Sequence, residues 1–159
     1  MVVMILYHGT NCDFAEIDIS KCSPNKDFGQ GFYLTDIPKQ AEYMAVRRVR
    51  QSGEGVATVL AYEFDELMLH NKAIRVRTFE KPTEAWATFV LKNRKDEDFS
   101  HGYDIVVGSV ADDGVALQLR RYEEKLISMR TLVRELTYRK LNRQYCFCTE
   151  LAISKLKRV

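Results

Sequence analysis

A chain of 159 residues has room for one domain with its own core and not for two of ordinary size. Its 46% apolar and 29% charged residues exclude a disordered, fibrous or coiled-coil chain, and no apolar run approaches the ~18 residues of a spanning helix. The net charge of +2 is unevenly spread: residues 1–119 carry 13 basic and 18 acidic side chains, residues 120–159 carry 11 and 4. That basic tail either meets a polyanion or solvates amphipathic helices.

In chain order, Val2 to Tyr7 is a β-prone apolar run stopped by His8-Gly9-Thr10-Asn11, so a strand delivers a histidine to its own end. The run is short with no basic residue before it, and reads as a strand and not a signal peptide. Residues 11–26 read mostly as loop. Asp27-Phe28-Gly29-Gln30-Gly31 leads into an aromatic strand, Phe32-Tyr33-Leu34-Thr35. Asp36 is the expected cap of a helix with Ile37, Ala41, Met44 and Ala45 as its apolar stripe, fading before Gly53. Val56 to Phe64 is a second long β-prone stretch. Pro82 to Leu91 predicts a helix burying Ala85, Trp86, Phe89 and Val90.

Tyr103 to Val110 is strand-like, and Ala111-Asp112-Asp113-Gly114 reads as a turn, its two carboxylates open to metal binding or to plain turn chemistry. One or two helices are expected over 115–140. From Gln144 to Cys148 the sequence alternates, with Gln144, Cys146 and Cys148 on one side and Tyr145 and Phe147 on the other. Thr149 then caps a short helix with Leu151, Ala152 and Leu156 inside. Interleaved helices and strands without a repeat give one α+β or α/β domain over 1–159. No G-x-G-x-x-G or G-x-x-x-x-G-K motif supports a Rossmann or P-loop reading. The cysteines, as C-x9-C and C-x-C, lack zinc spacing, so no metal is expected; without a secretory signal they read as cytoplasmic thiols, the alternative being two disulfides of an exported toxin. His70 and His101 have no carboxylate or cysteine at catalytic-looking spacing, which leaves a cysteine hydrolase built on Cys146 or Cys148 with little support.

Taken together, H-G-T at 8–10, G-x-G-F-Y-L-T at 29–35 and the late Gln-Tyr-x-Phe strand at 144–147 resemble the His-Tyr-Glu superfamily of ADP-ribosyltransferases, the diphtheria-toxin and poly(ADP-ribose) polymerase branch. The chain is most similar to a bacterial family within it, marked by D-F-G-x-G-F-Y-L-T (27–35), a Trp-bearing helix (84–94), Y-D-I-V-V-G-x-V-A-D-D (103–113) and the final Q-Y-x-F strand. The resemblance implies an α+β fold with a split β-sheet core flanked by helices, binding NAD in a bent pose between the halves. It gives His8 to the adenosine ribose, the Gly9 backbone to the nicotinamide carboxamide, with no space for a side chain there, and Thr10 to support of that loop. Gly31 belongs to the cofactor-binding turn and Tyr33 stacks on nicotinamide. Tyr43, reached after a one-residue gap, completes the aromatic sandwich.

The family's glutamate position is Gln144 here, which can accept from and donate to the ribose but brings no charge and no general base. By strand parity Glu150, six residues on, would share the face of Gln144. The resemblance therefore implies transfer of a single ADP-ribose unit to a macromolecular acceptor, protein or nucleic acid. By kinship it also implies a toxin of a toxin–antitoxin or defence module, with an antitoxin protein as partner; the lack of a spanning apolar run argues for no membrane. Loops flanking the last strand, at 131–143 with Arg130, Arg134, Arg139, Lys140 and Arg143, would choose an acidic target. Two alternatives stay open: an inactive NAD- or nucleic-acid-binding module, and an NAD glycohydrolase.

Overall fold

The computed structural model describes residues 1–137 and 142–159. The opening apolar run forms β1 (Val3–Thr10), which continues through His8-Gly9-Thr10, beyond its predicted end. It continues because β3 (Thr58–Asp65) pairs with it antiparallel along its whole length, from Val3 opposite Asp65 to Thr10 opposite Thr58. On the other side of the sheet, β2 (Phe32–Thr35) pairs antiparallel with β6 (Arg143–Phe147), and β6 with β5 (Ile105–Ser109). Two short edge strands escape the hydrophobic pattern: β4 (Val76–Thr78), parallel to β5, and β7 (Leu156–Arg158), antiparallel to β3.

The sheet order is β4-β5-β6-β2-β1-β3-β7. Its centre is its weakest seam, since β1 and β2 meet at one register pair only, Tyr7 opposite Thr35. The seven strands thus form a group of four and a group of three that touch at a point and part beyond it.

Helix α1 (Pro38–Ser52) packs on β1, burying Ala41 and Ala45. Ile37 and Met44 are exposed, so the apolar stripe is narrower than predicted. Asp36 does not cap the helix: Ile37 holds the cap position without a side-chain bond, its amide donating to Thr35 Oγ1 at 3.1 Å. Gly53 ends α1 with φ 72° and its amide on the Val49 carbonyl at 2.8 Å.

Helix α2 (Glu84–Lys95) is capped by Thr83 and buries Trp86, Ala87, Val90 and Leu91. Ala85 faces solvent, a correction to the predicted face by one residue. The expected turn at 111–114 is instead the start of α3 (Asp113–Glu123), where the Asp112 carboxylate accepts the Val115 amide at 2.8 Å. Helix α4 (Met129–Thr137) follows, burying Leu132 and Leu136; Arg139 and Lys140 lie outside the described residues. Thr149 caps α5 (Glu150–Ile153), which buries Ala152, while Leu151 is exposed and Leu156 belongs to β7.

Apolar side chains fill both faces of the sheet. Leu6, Leu34, Phe64, Tyr145 and Phe147 share one core, and Phe28, Trp86, Val106, Leu119 and Cys146 the other. The alternation along β6 falls as predicted, with Cys146 opposite in face to Tyr145 and Phe147. Among the described residues no helix is long and apolar enough to cross a membrane.

Candidate functional site

Where β1 and β2 part, a side chain takes over from the missing ladder. His8 Nδ1 lies 2.6 Å from the Tyr33 carbonyl oxygen, and a carbonyl only accepts, so Nδ1 carries the proton and Nε2 of the neutral ring is left as an acceptor. The ring stacks on Phe32 at 4.1 Å between centroids and meets the edge of Phe14 at 6.0 Å. Burial lowers the His8 pKa to about 4, with the charges of Arg48 and Lys26 pushing the same way and the Tyr33 carbonyl opposing them. The histidine is therefore neutral at physiological pH, in a field set by two cations.

Gly9 lies against α1, where a Cβ would run into the Ala41 carbonyl and the Ala45 amide. Its missing side chain makes way for a helix. Thr10 is buried, and its hydroxyl accepts the Cys12 amide at 3.4 Å.

The 27–31 segment curls over Tyr33. The phenol donates to the Gly29 carbonyl at 2.6 Å and accepts the Phe28 amide at 2.9 Å, with Gly29 in the left-handed region at φ 83°. Burial, reinforced by the neighbouring Cys146 sulfur, raises the phenol well above its usual pKa, so it stays protonated. Its hydrogen-bonding capacity is spent on backbone, and the ring face is what remains, with the Lys26 ammonium 5.9 Å from its centroid. Gly31 sits against β6, where a Cβ would come 2.5 Å from Cys146 Sγ and 2.9 Å from the Phe147 carbonyl.

Gln144 stands opposite Thr35 on β2 and Gly108 on β5. Tyr33 is thus its diagonal neighbour across the ladder, a relation of about 7–8 Å. Among the described residues its Nε2 is buried without a hydrogen-bond partner, a cost of about 1–3 kcal/mol for the fold to carry.

The structure therefore brings His8, Tyr33 and Gln144 onto three adjacent strands, β1-β2-β6. The His8 and Tyr33 rings go to different cores, the histidine against Phe32 and Phe14 and the phenol toward Phe28. Tyr43 is not brought to them: it lies on α1 two residues from both Ala41 and Ala45 and is 56% exposed. Glu150 is exposed in the first turn of α5; β6 ends at Phe147, so strand parity does not govern it. Among the described residues, surface cavities lie apart from these side chains. One of about 460 Å³ is lined by Asp13, Phe14, Ala15 and Arg158 and borders the site through Phe14; one of about 500 Å³ lies around Tyr122 and Ile127.

One constellation is only half signalled by the sequence, which puts Cys146 and Cys148 on one side of the strand but gives no sign of His101. Cys148 Sγ lies 3.2 Å from Cys146 Sγ and 3.8 Å from Nε2 of His101, 47 residues away. No spacing rule reaches across such a separation; only the β5–β6 pairing, which draws the Cys148 amide to the Asp104 carbonyl at 2.8 Å, brings the groups together. Among the described residues no group of three or more His, Cys, Asp or Glu is placed to hold a metal ion.

The fold and site define an α+β protein whose curled sheet parts at its centre beside a half-buried neutral histidine, a tyrosine ring and an amide unsatisfied among the described residues. Residues 4–158 match the family described as "Protein of unknown function (DUF3990)", and the chain belongs to it. No curated protein and no solved structure matches the chain.

Proposed function

We propose that this protein is a mono-ADP-ribosyltransferase that takes NAD as co-substrate in the seam between β1 and β2 and passes ADP-ribose to a macromolecular acceptor. The observation that carries the reading is the seam itself. A sheet that is continuous elsewhere is reduced to one register pair at the seam flanked by His8 on β1 and Tyr33 on β2, with Gln144 on the next strand. The orphaned Gln144 amide supports an occupant there, since a buried donor without a partner is stabilised by any ligand oxygen that meets it. Lys26 and Arg48, whose charges are felt at His8, suit a diphosphate.

Each side chain does what its environment leaves it free to do. His8, neutral with Nε2 as acceptor, takes a ribose hydroxyl and keeps the Tyr33 backbone in place through Nδ1. Tyr33 offers its ring face to nicotinamide, its hydroxyl being committed to Gly29 and Phe28. Gln144 offers an amide donor and a carbonyl acceptor to the ribose and takes no proton. NAD supplies a leaving group that departs without protonation, leaving positive charge on the ribose, so binding and orientation are the whole of what these residues contribute.

Purified protein incubated with NAD should release nicotinamide, and label on the adenosine part should appear on protein or nucleic acid. Release without label would make the protein a glycohydrolase, and NAD binding without release an inactive module. Tyr33→Ala should lose about 1–3 kcal/mol of ring stacking, about 5- to 150-fold in rate. His8→Ala should lose release as well, and Gln144→Glu should keep or raise it. Wild-type turnover in all three variants would overturn the site.

A further inference from the structure

We propose that Cys148 is a peroxide-sensitive thiol with Cys146 as its resolving partner, the two closing to an intrachain disulfide beneath Gly31. The inference is independent of the NAD reading and rests on how three groups meet.

The two sulfurs are 3.2 Å apart, and Cys148 Sγ also lies 3.8 Å from His101 Nε2 and 3.9 Å from the Phe28 carbonyl. His101 Nδ1 accepts the Tyr103 amide at 2.9 Å, which assigns the proton of the neutral ring to Nε2, 2.8 Å from the Phe28 carbonyl. His101 therefore directs its one Nε2 proton to the Phe28 carbonyl, with the sulfur second to it at 3.8 Å, and is no base for the thiol. This geometry holds a thiolate and does not relay a proton, so it favours a redox thiol over the nucleophile of a cysteine hydrolase.

The pair is also asymmetric in the way oxidation followed by resolution requires. Cys146 is fully buried and Cys148 only half-buried, so a small oxidant reaches the second. The hydrogen bond from Cys146 lowers Cys148 to about 6, helped by His101 and opposed by burial and by the Asp104 charge. Burial and the neighbouring sulfur drive Cys146 the other way. Of the other two thiols, Cys22 is raised by burial and Asp18, and Cys12 is exposed.

The chemistry balances with a hydroperoxide as oxidant. The Cys148 thiolate attacks one peroxide oxygen; an S–O bond forms, the O–O bond breaks, and with one proton the distal oxygen of hydrogen peroxide leaves as water. Cys148 is then a sulfenic acid. The Cys146 sulfur gives up its proton and attacks Cys148 sulfur; the S–S bond forms, the S–O bond breaks, and a second water leaves. Two strand steps put the Cα atoms about 6.6 Å apart, inside the roughly 4.4–6.8 Å that a disulfide spans. Because Gly31 is seated on both residues and Cys146 stands opposite Tyr33, the adjustment is felt by the 27–31 segment.

The test is thiol labelling of the intact wild-type protein with iodoacetamide across pH, read by peptide mass. Cys148 should label at least about tenfold faster than the exposed Cys12 at pH 6.5, since the thiolate and not the thiol is the nucleophile. Substoichiometric hydrogen peroxide should remove two hydrogens from the peptide holding Cys146 and Cys148. In Cys146→Ser the same treatment should leave a dimedone-reactive sulfenic acid at Cys148, and His101→Phe should move the Cys148 labelling midpoint upward. The wild-type arms decide the matter even if a variant fails to fold. Cys148 labelling no faster than Cys12, or peroxide oxidising Cys12 or Cys22 while the 146–148 peptide keeps its mass, would overturn the proposal.

Discussion

Replacing Gly9 by alanine should destabilise the protein by at least about 3 kcal/mol, the upper end of what overpacking costs. The new methyl would collide with the backbone of α1 at Ala41 and Ala45, and backbone cannot rotate away as a side chain can. Relief requires lifting α1 from β1, which exposes the buried Ala41 and Ala45 together. Gly53→Ala is the matched control, because nothing lies within 4 Å of its Cβ position and only the left-handed φ of 72° is strained; that change should cost about 1–2 kcal/mol. Urea unfolding of the two variants separates lack of space from lack of conformational freedom. Equal stability of Gly9→Ala and wild type would mean that α1 does not seat on β1 as described. The result also bears on the site: lost activity in Gly9→Ala would report a displaced helix and says nothing of a contact between its backbone and nicotinamide.

The elements legible in the sequence are those whose own residues decide them. The run into β1, the aromatic β2 after its glycines, the α1 stop at Gly53 and the alternation along β6 are local patterns, and each stands in the fold. Strands β4 and β7 carry three residues each and exist by pairing with β5 and β3, so no period marks them. On α2 the buried set is Trp86, Ala87, Val90 and Leu91, and an alanine at 85 or 87 fits either choice of face until α4 is packed against it. Asp112 was legible as a turn former, and the same carboxylate chemistry makes it a helix cap. In the site, His8, Tyr33 and Gln144 are legible through motif resemblance, and their placement on adjacent strands depends on strand order, which no local pattern encodes. The His8 bond to the Tyr33 carbonyl and the Cys148–His101 contact span 25 and 47 residues. Tyr43 shows the converse limit: separation along a helix suggested a partner for the ring, whereas the 3.6-residue turn carries it away from Ala41 and Ala45.

Acid should weaken the fold through His8 before it does so through the carboxylates. The histidine has a pKa of about 4 in the folded protein against about 6.5 when unfolded. Between those values the unfolded chain takes up a proton that the native state refuses, so unfolding free energy rises with pH in this window and falls as pH drops from about 6.5 to 4. The accumulated loss is about 3 kcal/mol, from the separation of the two pKa values at about 1.4 kcal/mol per unit. Asp18 and Asp104 are held below the usual carboxylate range, so whatever they contribute is lost at lower pH. His101 is raised and acts with the opposite sign, its contribution fading as pH rises. The His8→Phe variant isolates the effect: it keeps a ring on Phe32, forfeits the bond to Tyr33 at every pH at a cost of about 1 kcal/mol, and removes the titration. Its stability should therefore lie below wild type at pH 7.5 and converge with or cross it near pH 4. Parallel curves for the two proteins between pH 6.5 and 4.5 would show that His8 is not buried in the seam, and the neutral acceptor assigned to the ribose would go with it.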